Sequence, residues 1–287
     1  MLESLDTLAP FAIPLSVIVG LLIGSFLNVV IYRVPVMMER SWTQFAKEHL
    51  QLELTEEEQQ PFNLMKPDSR CPQCHAPVKA WQNIPIFSYL MLGGKCGSCK
   101  TPISIRYPLI ELLTGILFGV VAWQYGWTMA AFGGLILTAL LIALTFIDAD
   151  TQYLPDNLTL PLIWLGLLFN LNSTFVPLKS AVLGAVFGYM SLWLLCFIYK
   201  LLTGKIGMGN GDFKLLAALG AWLGVGILPV LVFMAALIGL IGAIIGRVAK
   251  GQYFAFGPSL AIAGWIILVA NEPVHRAVTW WLTKSGF

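Results

Sequence analysis

Residues 215–246 form a run of 32 residues without a charge. As one helix this run would extend about 48 Å at 1.5 Å per residue, well beyond the ~30 Å hydrocarbon core of a bilayer. Pro229 and the glycines before it predict two shorter spans instead. Further apolar runs of spanning type recur at residues 11–32, 108–123, 129–147, 157–171, 180–199 and 258–270. The expected fold class is therefore an all-α polytopic membrane protein of about eight transmembrane helices. The segment before the first run, MLESLDTLAP, has no basic stretch and no small-residue cleavage site follows, so a retained anchor is expected.

Charge is scarce, and its placement is informative. Only 11% of the 287 residues are charged, less than half the roughly 25% of soluble domains. Half of these charges, nine basic and seven acidic, lie in residues 33–107. This excludes a soluble enzyme, a disordered tail and a secreted disulfide scaffold. It predicts three parts: an anchor (1–32), a small polar cytoplasmic domain (33–107) and a multi-span domain (108–287). With the N-terminus outside, the inside segments carry 14 Lys/Arg and the outside segments carry Lys179, Arg276 and Lys284 only. That bias puts the polar domain in the cytoplasm and the N-terminus in the periplasm. Reading 215–246 as one helix would move Arg247 and Lys250 outside, so charge also favours eight spans. No basic stripe is present, and a nucleic-acid partner is not expected. Gly20 and Gly24 form a GxxxG in the first span, the signature of close helix packing. Tyr32, Trp123, Tyr125, Trp127, Tyr199, Trp280 and Trp281 fall near span ends and read as interfacial anchors.

Four of the five cysteines occur as Cys71-Pro-Gln-Cys74 and Cys96-Gly-Ser-Cys99. Two C-x2-C turns, 21 residues apart, have nearly the spacing of a four-cysteine zinc site. A cytoplasmic setting disfavours disulfides, and no βαβ pattern supports a redox motif. A structural zinc that staples a domain with little core is the expectation. His75 reads as a bystander, and Cys196 as a small buried hydrophobe. The glutamates of residues 44–60 read as a solvated surface.

Beyond residue 107 there are six acids: Glu111, Asp148, Asp150, Asp156, Asp212 and Glu272. The four aspartates all lie at predicted cytoplasmic span ends. Carboxylates at membrane depth are costly and indicate function by default. Two that meet from different spans share a proton and serve as general base and general acid in peptide hydrolysis. Asp148 and Asp150, two residues apart, do not share a helix face, so at most one joins such a pair. Asp156 is placed to N-cap the next helix, and Glu111 to pair with Arg106. The glycines of 207–211 permit close backbone approach beside Asp212. On the residues alone, a protease, a proton-coupled transporter with a zinc-stapled regulatory domain, and plain helix caps all remain open.

Several strings carry a resemblance: GSFLNVVIYRVP (24–35), the paired C-x2-C, NIPIFSYL (83–90), RYPLIEL (106–112), IDADTQYLPD (147–156), GMGNGDFKL (207–215) and FGPSLA (256–261). In this order, nearly end to end, they resemble the type IV prepilin peptidase family, also called leader peptidase/N-methyltransferase. The resemblance implies a GxGD-type aspartic protease of the bacterial inner membrane, with Asp148 and Asp212 as catalytic residues. It implies cleavage of the basic leader of type IV prepilins and type II secretion pseudopilins at the cytoplasmic face. It also implies N-methylation of the new terminus with S-adenosylmethionine as cofactor. No glycine-rich nucleotide fingerprint occurs in 33–107, so the methyltransferase expectation rests on the resemblance. Gly94, within LGGKC (92–96), is the one residue it offers as cofactor-linked. A turn glycine before the second cysteine pair is the other reading of that position.

Overall fold

The computed structural model describes residues 9–205, 207–245 and 255–270, together with Val274, Arg276 and Lys284. Among them the secondary structure is helical, apart from two isolated β-bridges. Five helical segments are long and apolar enough to cross a membrane: Ala12–His49, Arg106–Tyr125, Met129–Thr151, Leu178–Thr203 and Val225–Ile245. Three further helices, Asp156–Phe169, Asn210–Leu223 and Gly257–Val269, are shorter, at 14, 14 and 13 residues. Each of the eight predicted spans thus corresponds to a helix. The chain divides into two compact units, Met1–Trp123 and Gln124–Phe287.

The first unit is built on α1 (Ala12–His49), with short helices α2 (Glu56–Gln59) and α3 (Phe87–Met91) and the long α4 (Arg106–Tyr125). The expected first span ended at Tyr32, but α1 continues through Pro35 to His49. The apolar run ends there because Arg33, Glu39 and Arg40 enter, and charge does not terminate a helix. A proline removes one backbone bond, and good helix formers that follow, among them Met37, Met38, Glu39 and Arg40, propagate the helix. The polar domain boundary expected at 32/33 therefore falls inside a continuous helix. Arg33, 8% exposed, ties α1 to the following loop by donating to the Asn63 carbonyl at 2.9 Å and the Pro67 carbonyl at 2.6 Å. The guanidinium of Arg40 stacks on Phe62, 4.4 Å from the ring centroid. Further along, Glu58 closes a capping box with Thr55 and accepts from Lys47 at 2.6 Å. The Lys47 ammonium, then the Thr55 backbone N–H, hold its carboxyl down to about 2.

Helices α1 and α4 pack through the predicted GxxxG. A Cβ on Gly20 would lie 2.8 Å from Gly115 Cα, and one on Gly24 would lie 2.7 Å from Glu111 Cα. Gly115 answers from the other side, where a Cβ would meet Leu21 Cδ2 at 2.9 Å. Small residues on both helices bring the backbones together, which is how helices gain packing where burial from water offers little.

The second unit contains α5 (Met129–Thr151), α6 (Asp156–Phe169), α7 (Leu178–Thr203), α8 (Asn210–Leu223), α9 (Leu228–Ile245) and α10 (Gly257–Val269). Thr128 caps α5, its hydroxyl accepting from the Ala131 N–H at 3.1 Å. The long uncharged run breaks where expected: α8 ends at Leu223, Gly224 adopts φ 84°, and a 3-10 turn leads into α9. Helix α8 is the central element, with Leu215, Leu216, Leu219 and Trp222 inaccessible to solvent. It packs on α7 so closely that a side chain on Gly184 would collide with the Gly220 backbone. The indole of Trp222 donates to the Leu162 carbonyl of α6 at 2.9 Å and lies against Phe169 and Phe175. Asn170, fully buried, donates to the carbonyls of Ala221 (2.9 Å) and Trp222 (3.2 Å). Its Oδ1 accepts the backbone N–H of Phe175 (2.9 Å) and Val176 (3.0 Å). One side chain thereby satisfies two carbonyls at the end of α8 and two N–H groups in the segment before α7.

Among the expected aromatic anchors, Tyr32, Trp123, Trp127 and Tyr199 are exposed. Tyr125 is different. Its ring joins the core beside Phe175, and its hydroxyl donates to the Leu268 carbonyl at 2.6 Å. Trp280 and Trp281 lie outside the described residues, as do Arg247, Lys250 and Glu272. Cys196 is partly buried against the core.

Candidate active site and cysteine cluster

Asp148 sits in the last turn of α5, one turn before Gln152, whose left-handed conformation (φ 58°) ends the helix. Asp212 occupies the third position of α8, where an acid suits the free N–H groups of a helix start. Both ends lie beside the N-termini of α6 and α10. Lys214 of α8 pairs with Asp156 of α6 at 2.6 Å. The backbone N–H of Gly257, the first residue of α10, hydrogen-bonds the Asp148 carboxyl. A Cβ on Gly257 would fall 2.5 Å from Asp148 Oδ2 and 3.2 Å from Leu154 Cδ1. A Cβ on Gly211, beside Asp212, would fall 2.7 Å from Leu154 Cβ. Leu154 is therefore wedged between the glycine next to one aspartate and the glycine next to the other. The predicted close approach at 207–211 is realised at Gly211.

Asp148 is 4% exposed, and its charge acts on Asp212. Among the described residues, two buried side-chain polar atoms have no hydrogen-bond partner: Asp148 Oδ2 and Asp212 Oδ1. Buried polar groups are nearly always satisfied, and an orphaned carboxylate oxygen costs on the order of 1–3 kcal/mol or more. Two such atoms on neighbouring helix ends form a site kept open for something else. Asp150, two residues on, is exposed, which agrees with the expectation that only one of the two faces inward. Asp156 is not the N-cap of α6; Pro155 takes that position and Asp156 forms the ion pair with Lys214.

In the first unit, Glu111 is buried (8% exposed) and accepts the backbone N–H of Ile86 at 2.8 Å. This partner was not anticipated from the sequence. Ile86 adopts φ 58°, a conformation that β-branched residues rarely adopt. Ser25 reaches the carbonyl of Asn83, and Asn28 bridges the carbonyls of Gly24 and Tyr107. The strings at 24–35, 83–90 and 106–112 thus meet in one polar cluster.

The four cysteines of 71–99 come together as their spacing predicts. Their sulfur atoms all lie within 4.8 Å of one another, with Cys71 to Cys99 at 3.7 Å and Cys74 to Cys96 at 4.0 Å. A tetrahedron of thiolates at 2.3 Å from zinc has edges of about 3.8 Å, so the donor set fits such an ion. The two turns are copies of one unit. Cys71 N–H donates to Ala76 O and His75 N–H to Cys71 O, and Cys96 N–H to Thr101 O and Lys100 N–H to Cys96 O. β-Bridges join Arg70 to Pro77 and Lys95 to Pro102. His75 and Lys100 occupy the same left-handed position, at φ 55° and 61°. His75 is thus a turn residue, outside the group of four sulfurs. The signal was present as [Arg/Lys]-Cys-x-x-Cys-[His/Lys]-[Ala/Thr]-Pro repeated 25 residues apart. Backbone N–H groups of Cys74 and Gln73 lower the Cys71 thiol, and the Thr101 hydroxyl and N–H bring Cys99 down to about 6. Against the Ala76 N–H, the neighbouring thiols and burial push Cys74 the other way, up to about 11, so two of the four lean toward the thiolates a metal needs and one leans away.

Gly94 follows α3 with φ 68°, its N–H donating to Tyr89 O at 2.9 Å. A Cβ there would meet the Tyr89 hydroxyl at 3.0 Å. The turn alone accounts for glycine at this position. Among the described residues no strand leads into a glycine-rich loop, so nothing fits the usual nucleotide fingerprint.

Two family models match the chain: the bacterial peptidase A24 N-terminal domain over residues 18–125 and the type IV leader peptidase family over residues 135–244. A prepilin leader peptidase/N-methyltransferase of Neisseria gonorrhoeae is 72% identical over 282 residues, covering 98% of this chain and 99% of that protein. The chain belongs to the type IV leader peptidase family. Proteins of the same name from Pseudomonas aeruginosa and Aeromonas hydrophila are each 51% identical, covering 99% and 92% of this chain and equal shares of their own. No solved structure matches. The family assignment displaces the transporter alternative, and it makes the chain a peptidase-family enzyme.

Proposed function

We propose that the chain cleaves the basic leader from type IV prepilins and type II secretion pseudopilins with Asp148 and Asp212. It then methylates the new N-terminal amine with S-adenosylmethionine. The observation that carries the peptidase reading is the pair of orphaned buried oxygens, Asp148 Oδ2 and Asp212 Oδ1, on adjoining helix ends. Two carboxyls that meet at one site share a proton. One takes a proton from water as the water attacks the scissile carbonyl; the other protonates the leaving amine. The pair titrates as a unit, so the two roles belong to the pair. The names of the relatives support both activities.

The enzyme resides in the bacterial inner membrane, with its N-terminus periplasmic and its active site and cysteine cluster at the cytoplasmic side. The basis is the distribution of Lys and Arg. Asp148, Asp150, Asp156 and Asp212 at that side suit a basic leader. In this reading the chain has three parts: an anchor (1–32), a metal-stapled polar domain (33–107) and a multi-span peptidase (108–287). Zinc is the metal of Cys71, Cys74, Cys96 and Cys99, on the fit of the sulfur edges to a tetrahedron. The methyl-transfer site is assigned to the first unit with Gly94 in its neighbourhood, on the resemblance.

The test uses a prepilin peptide and labelled S-adenosylmethionine with mass readout of both steps. Asp148→Asn and Asp212→Asn each abolish cleavage while methylation of a pre-cleaved peptide continues. Normal cleavage by either variant refutes the assignment.

A further inference from the structure

The string Phe256-Gly257-Pro258 has no chemistry of its own, yet it touches the site. Gly257 opens α10, and its backbone lies against the Asp148 carboxyl so closely that a Cβ would stand 2.5 Å from Oδ2 and 3.1 Å from Cγ. Its N–H hydrogen-bonds that carboxyl. Leu154 fills the remaining angle, touching the space a side chain would occupy on Gly257 and on Gly211 alike. Pro258 follows in the first turn of α10, so no N–H at 258 competes for the carboxyl.

We propose that Gly257 is a positioning residue for the Asp148–Asp212 pair. Its bare backbone fixes the Asp148 carboxyl from one side, and Leu154 holds the two glycine-lined approaches in register. The proposal rests on the two-aspartate reading above. Helix α10 makes this contact from a fixed base. Trp265 on α10 donates its indole N–H to Thr138 of α5 at 3.0 Å, linking α10 to the helix that carries Asp148. The Asp148 carboxyl is thereby set by its own helix and by a second helix bonded to it. Ionisable groups near the pair among the described residues include Cys196 of α7, on which Asp212 acts, and the Lys214–Asp156 ion pair of α8 and α6.

A methyl group on Gly257 must displace the carboxyl or move α10. A displacement near 1 Å at a reacting group costs about 100-fold in rate. In full-length enzyme, Gly257→Ala lowers kcat for leader cleavage by that order, changes the shape of the pH–rate profile and leaves KM within about threefold. Gly264→Ala is the control. It crowds the same helix, its Cβ meeting Leu219 Cδ2 at 2.5 Å, but lies away from Asp148. It lowers thermal stability and keeps the wild-type pH profile. Should Gly257→Ala fail to accumulate folded, Leu154→Ala carries the test with the same pairing of lower kcat and altered pH profile. Wild-type kcat and pH profile in folded Gly257→Ala, with Asp148→Asn inactive, overturn the role of Gly257 and leave the pair intact. Activity in Asp148→Asn overturns the pair itself.

Discussion

Asn170 holds four backbone groups with one side chain, and its removal is the sharpest structural perturbation available in the second unit. Asn170→Ala deletes two donations to the end of α8 and two acceptances from Phe175 and Val176. At about 1 kcal/mol net per bond the loss is about 4 kcal/mol. For a unit of this size that lowers the unfolding midpoint by roughly 8–16 °C. Asn170→Asp separates donor from acceptor. It retains Oδ1 for the two N–H groups but aims a second oxygen at the carbonyls of Ala221 and Trp222. Folding then favours the protonated acid, so its folded-state pKa is raised above the unfolded value. The penalty is largest near neutral pH and shrinks as pH falls through the folded pKa. The assay is thermal unfolding in detergent followed by tryptophan fluorescence, since Trp222 lies beside the bond. A midpoint drop of under about 2 °C for Asn170→Ala, or a pH-independent Asn170→Asp, refutes the reasoning.

Other perturbations separate the remaining elements. The double variant Asp148→Asn/Asp212→Asn cleaves no more slowly than either single one, because the carboxyls act as a unit; multiplicative losses in a kinetic assay contradict a shared mechanism. Cys71→Ser loses its metal by elemental analysis, and proteolysis then cuts within residues 70–102; a wild-type protein without metal defeats the staple. Glu111→Ala frees the Ile86 N–H and speeds proteolysis at residues 84–87, whereas Glu111→Gln keeps an acceptor and stays near wild type; equal behaviour of the two removes Glu111 from that role.

Much of this was legible in the sequence, for identifiable reasons. Apolar run length is a direct consequence of helix rise, so eight apolar spans, and a break within 215–246 at Pro229 or the glycines before it, could be read off. Asp148 and Asp212 stood out because acids beyond residue 107 are few. C-x2-C spacing is dictated by tetrahedral geometry. What stayed hidden was long-range and polar. Asn170 sits at the end of the apolar run 157–171, where it reads only as a span-end residue, and its partners are 51 and 52 residues away. Glu111 faces a backbone N–H 25 residues upstream, and backbone donors leave no trace in composition. Gly257 matters through space a side chain would fill, which a string shows only as a glycine. The continuation of α1 past Tyr32 to His49 was hidden because a change of polarity marks the end of an apolar run and not the end of a helix.

The paired cysteine turns have a thermodynamic corollary. Each turn closes locally with its own backbone bonds, yet neither completes a coordination shell. An ion is therefore a cross-link between sites 28 residues apart along the chain, made only when both halves are present. The folded population of this segment then follows free metal by mass action, gaining about 1.4 kcal/mol for each tenfold rise above the dissociation constant. A cell that withdraws the metal would loosen residues 70–102 without altering a single covalent bond.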